Sequence, residues 1–158
     1  MQPAWFVDNQ GRKWTVSITV ADIKRVKAAL DVDLGRLSAG KLDGVAALFD
    51  DPAALCDVLF VLCRREADAA GVDDESFGRA MAGDAIEHAS LALVRAVADF
   101  CPSRLKPAIL AMAGKMRAAM EVADSKAGAL LAAVEAIDPA AMLAAPSGSV
   151  AASPPSPG

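Results

Sequence analysis

Tyrosine is missing from this 158-residue chain, and aromatic residues make up only 4% of it, as two tryptophans and five phenylalanines. A core with so few large anchors must rely on small and branched residues at close helix approaches, and alanine supplies much of the 54% apolar content. Histidine is scarcer still. With His88 alone, a zinc site lacks imidazole ligands, and Cys56, Cys63 and Cys101 are an odd number at spacings unlike C-x-x-C. These thiols are expected to act as small buried hydrophobes. No run of about 20 uncharged apolar residues occurs. The best candidate, Ala127 to Ala145, is broken by Glu135, Asp138 and Pro139, and the start of the chain carries Asp8, Arg12 and Lys13 where a leader would be apolar. A soluble cytoplasmic protein with no membrane partner is expected. A basic excess is lacking too. Twenty acidic residues against sixteen basic ones give a net charge of −4, which argues against a nucleic-acid partner.

Signatures of chemistry are equally scarce. There is no P-loop, no G-x-G-x-x-G, no H-E-x-x-H and no G-x-S-x-G. Cys56 or Cys63 could in principle use His88 as a base, but nothing suggests the third group that such a pair needs. Asp73-Asp74-Glu75 lacks the alternating ligands and closing glutamate of a calcium loop, so it reads as a helix start. Neither an enzyme nor a metal or other cofactor is expected.

What is present is punctuation. Residues 4–20 read as a β-hairpin: Asp8-Asn9-Gln10-Gly11 supplies the turn, and Trp14, Val16, Ile18 and Val20 alternate with hydroxyl residues. Trp5 or Phe6 is placed opposite Trp14, with both tryptophans as lids on the core. Residues 21–31 read as a short helix burying Ile23, Val26 and Leu30 and exposing Lys24, Arg25 and Lys27. Residues 32–47, with Gly35, Gly40 and Gly44, read as an irregular connector with a short strand at Val32–Leu34. Asp51-Pro52 opens a helix with an apolar face of Leu55, Val58, Leu59, Leu62 and Cys63, and Gly71 closes it. A short helix runs from Asp73 to about Gly83. Another begins with Asp84 as its cap, turns Ile86, Leu93, Val94, Val97 and Phe100 inward, and ends at Cys101-Pro102.

Beyond Pro102 the composition changes. Residues 108–136 are nearly all good helix formers, interrupted by Gly114 and Gly128, so they read as one fraying helix or two. Met112, Met116 and Met120 form a ridge at i, i+4, i+8, and Leu130, Leu131 and Val134 continue an apolar stripe. Such a ridge either packs onto the helical core or offers a flexible thioether surface to an apolar helix of a partner. The predicted organisation is a predominantly helical α+β fold. A globular head at 1–102 packs the hairpin on four to five helices, a helical extension covers 103–137, and a disordered Ala/Pro/Ser tail covers 138–158.

The hairpin F-x-D-x-x-G-R-x-W (Phe6, Asp8, Gly11, Arg12, Trp14), the strand TVSITV with its sequel VKAALDVDL, and the core DPAALCDVLFVLCRREADAAGVDDESFGRAMAGDAIEHA together resemble the small tail assembly chaperones of long-tailed phages and prophages, over roughly residues 5–102. The most telling segment is AAGVDDESFGRAMAGDAI (Ala69–Ile86). The resemblance implies a non-enzymatic protein of the host bacterial cytoplasm that binds the tape measure protein, a long apolar helical chain, and keeps it soluble during tail morphogenesis. It also implies the tail tube protein as a further partner, and it allows a homo-oligomer. Candidate partner contacts are Met112, Met116, Met120, Leu130, Leu131 and Val134. The alternative is a structural virion protein, of head–tail connector or tail terminator type, whose hairpin edge pairs with a neighbouring copy in a ring. A weaker third option, a regulatory protein using Lys24, Arg25 and Lys27 on nucleic acid, runs against the charge balance.

Overall fold

A computed structural model describes residues 3–41, 43–143 and 156–157. The fold is α+β and mostly helical. Strands β1 (Ala4–Val7) and β2 (Lys13–Val16) form a two-stranded antiparallel sheet in which Phe6 pairs with Trp14 and Trp5 with Thr15. The helices are α1 (Val20–Leu30), α2 (Asp43–Asp50), α3 (Pro52–Ala70), α4 (Asp74–Arg79), α5 (Asp84–Phe100), α6 (Lys106–Glu135) and α7 (Pro139–Leu143). Two compact units divide the chain, Met1–Met120 and Glu121–Gly158. The first takes in residues beyond the compositional break at Pro102, because Ile109 and Ala113 of α6 are buried in its core.

Several expectations are corrected in detail. The second strand stops at Val16, and Thr19 turns the chain into α1: its hydroxyl accepts from the Asp22 N–H, while Asp22 accepts from the Thr19 N–H, a capping box. Val20 therefore begins a helix and is exposed. No strand forms at 32–34. Asp33 accepts from the Gly35 N–H at 2.9 Å, and a 3₁₀ turn runs over Leu34–Ala39. The rest of the supposed connector contains α2, whose buried Val45 and Leu48 and half-buried Phe49 stand at helical spacing. Asp84 is not the cap of α5. Gly83 holds that place with φ +63° and ψ −133°, a conformation that favours glycine, and makes no side-chain cap bond. In the second unit, Asp138-Pro139 repeats the helix-opening pair seen at Asp51-Pro52: Asp138 accepts from the Ala140 N–H, and α7 follows. The rest of the predicted tail, apart from 156–157, lies outside the described residues.

The core of the first unit sits between the hairpin and α3 and α5. Ala85, Ala89, Ala92 and Ala96 are all buried on α5, and their small side chains suit its close packing against β1. Phe77 is fully buried, 5.1 Å from the Trp14 ring and 5.3 Å from Phe60. The few large anchors of this aromatic-poor chain are thus gathered at one point. Among the described residues, no helix is long and apolar enough to cross a membrane.

Candidate functional site

The hairpin motif resolves into a single hydrogen-bonded turn around Asp8. Its carboxylate accepts from the Gln10 N–H at 2.8 Å, the Arg12 N–H at 3.0 Å, Arg12 Nε at 2.9 Å and Trp14 Nε1 at 2.9 Å. Gly11 completes the turn at φ +75°. Burial alone would raise the pKa of Asp8, but the bonds from Trp14, Arg12 and Gln10 outweigh it and hold the carboxyl below its ordinary range. Asn9 then reaches across to the second motif. Its N–H donates to the Ala80 carbonyl at 2.9 Å, and its side chain donates to that of Ala82 at 2.5 Å. In that second segment Gly71 takes the left-handed C-cap, Asp73 caps α4, and Phe77 packs against Trp14. Every residue quoted from the hairpin motif therefore has a structural task, and the two segments interlock.

The thiols are poorly suited to nucleophilic work. Burial, then the charges of Asp57 and Asp74, push Cys56 up to about 11; burial and Glu66 push Cys63 up to about 12; burial raises Cys101. Cys63 donates weakly to the Thr15 carbonyl at 3.7 Å, and His88 is exposed on α5. The cationic helix face is largely spoken for: Arg25 bonds Asp22 at 2.6 Å and Lys27 bonds Asp31 at 2.8 Å, leaving Lys24. No group of three or more metal-ligating side chains occurs among the described residues.

The tryptophans part company. Trp14 is buried, whereas Trp5, one residue out of phase with the inward face, is half exposed under the Lys13 ammonium at 4.5 Å. The expectation of two core lids holds only for Trp14.

The six candidate contact residues fall into two sets. In the first unit Met112 and Met116 are half-buried and pack against the core cluster, and Met120 is half-buried. In the second unit Leu130, Leu131 and Val134 are 68%, 59% and 54% exposed, and Val122 and Ile137 are also exposed. No described residue of the second unit is buried. An apolar surface with no burial of its own is unusual for a monomer and suits contact with another chain. Reading the periodicity of 108–136 finds these residues but does not tell which half of the stripe is covered.

No protein-family model matches the chain, and no curated protein or solved structure matches it.

Proposed function

We propose that this chain is a non-enzymatic holding protein, a tail assembly chaperone that binds the phage tape measure protein in the bacterial cytoplasm and keeps it soluble. The observation that carries the reading is the exposed apolar set Leu130, Leu131 and Val134 on a helix whose neighbours in the second unit leave it uncovered. The thiols, buried at Cys63 and Cys101, half-buried at Cys56 and all raised in pKa, together with the structural use of the motif residues, support a protein that acts through its surface. The mechanism is helix against helix. Each copy covers a short apolar stretch weakly, and many copies along one long chain supply avidity. Met112 and Met116 serve the head in this reading, so the contact set contracts to Leu130, Leu131 and Val134, with Met120 at its margin. Co-expression with a tape measure fragment tests it. The full chain is expected to keep the fragment in the soluble fraction, and a chain ending at Met120 is expected to leave it insoluble.

One observation favours the structural virion reading. At Thr15 the outward backbone groups of β2 are occupied, since Glu66 accepts from the Thr15 N–H at 2.9 Å and Cys63 donates to the Thr15 carbonyl. On β1, the outward groups fall at Trp5 and Val7, and no described residue pairs with them. Stoichiometric presence of the protein in purified particles would favour this reading over the chaperone.

A further inference from the structure

The charge of this chain is distributed unevenly. Residues 50–57 and 73–87 hold eight of its twenty acidic side chains and one of its sixteen basic ones, so the remainder is net positive by three. That single cation, Arg79, is already tied to Glu75. The two segments meet in space. The first turns of α3, the body of α4 and the start of α5 enclose a groove of about 470 Å³, open to solvent. Pro52, Ala53, Met81 and Ile86 give it an apolar lining, and Asp57 and Asp74 stand on it. Neither carboxylate makes a hydrogen bond or ion pair among the described residues. Burial and the neighbouring charges of Asp74 and Asp51 raise the pKa of Asp57, as mutual repulsion without a local cation requires. Helix starts carry a partial positive charge that favours anions, but Asp51, Asp74 and Asp84 place a full negative charge at each of the three.

We propose that this groove is a docking site for a cationic amphipathic helix of another protein, which sets an apolar side chain on the Pro52–Met81–Ile86 lining and a lysine or arginine between Asp57 and Asp74. Charge complementarity selects the occupant. The groove offers two unpaired carboxylates and no cation, so an acidic or neutral apolar segment leaves them unanswered while a basic one pairs both. The groove lies wholly in the first unit and shares no residue with the holding surface proposed above, so the two stand or fall separately.

The probe is a labelled amphipathic peptide of leucine and lysine in helical period, with its leucine–glutamate counterpart as control, titrated into the full chain at low ionic strength and read by fluorescence anisotropy. The lysine peptide binds and the glutamate peptide does not. Asp57→Asn with Asp74→Asn weakens binding by about tenfold or more, while Glu121→Gln with Asp124→Asn, which changes net charge equally, leaves it within about twofold. Gly78→Leu is the second arm. A Cβ there meets only Cys56 Sγ, at 4.0 Å, so the longer side chain extends into the groove and blocks it without backbone strain. Its thermal midpoint stays near the parent's while peptide affinity falls. Absence of binding by the parent, equal binding by the groove variants, or an equal loss in the charge-matched control overturns the proposal.

Discussion

Asp8 carries more of the hairpin than any other side chain. A buried carboxylate that accepts four bonds has no neutral substitute: in Asp8→Asn the amide presents N–H groups to the Trp14 and Arg12 donors. The variant should lose about 3 kcal/mol of unfolding free energy in urea, as for breaking a buried charged pair. The pH dependence follows from the direction of the shift. Because the folded pKa lies below the unfolded one, the stabilisation is fully present above about pH 5 and drains away below about pH 4, as pH falls through the folded value. Asp8→Asn should flatten that acidic limb, and urea midpoints measured between pH 3 and 6 (roughly the span of the titration) check it. The turn was legible in the sequence from Gly11 and its polar neighbours. The role of Asp8 was not, because its donors include a side chain on the opposite strand.

At the scale of elements, glycine separates helices that need it from helices that tolerate it. Gly83 opens α5 in a conformation that a side chain resists, so Gly83→Ala should cost about 1–3 kcal/mol. Gly114 and Gly128 lie inside α6 with nothing within 4 Å of an added Cβ, and alanine at each should stabilise the helix by up to about 1 kcal/mol. Circular dichroism during thermal unfolding should show the two effects with opposite sign. Helix starts announced by Asp-Pro or by Asp73 were readable from sequence because the capping chemistry is local. The start of α5 was misassigned to Asp84 because its backbone turns at a glycine that carries no side-chain signal. Gly40 before α2 and Gly44 in its first turn obscure this helix in the sequence, although Val45, Leu48 and Phe49 stand at helical spacing. Trp5 was misplaced by parity alone: Phe6, one residue on, takes the inward position opposite Trp14.

For the whole molecule, the boundary between units decides what can be removed. Among the described residues, all the buried core positions lie at or before Ala113, so a chain ending at Met120 should unfold with the same urea midpoint as the parent. Ending at Pro102 strips Ile109 and Ala113 from the core and the half-buried Leu105, Met112 and Met116 from its side, and should cost at least about 3 kcal/mol. Composition marked residue 102 because alanine and methionine become frequent there. It could not show that the same helix first completes the head, since core and partner-facing methionines look alike in a sequence. In the proposed function, Leu130, Leu131 and Val134 do the holding. The direct measurement is light scattering of a purified tape measure fragment diluted from denaturant, with the parent chain or with Leu130→Glu, Leu131→Glu and Val134→Glu combined. Glutamate preserves helix propensity, so the second unit keeps its backbone while its apolar surface is lost. The parent should suppress scattering and the triple variant should not; equal suppression by both would show that the holding surface lies elsewhere.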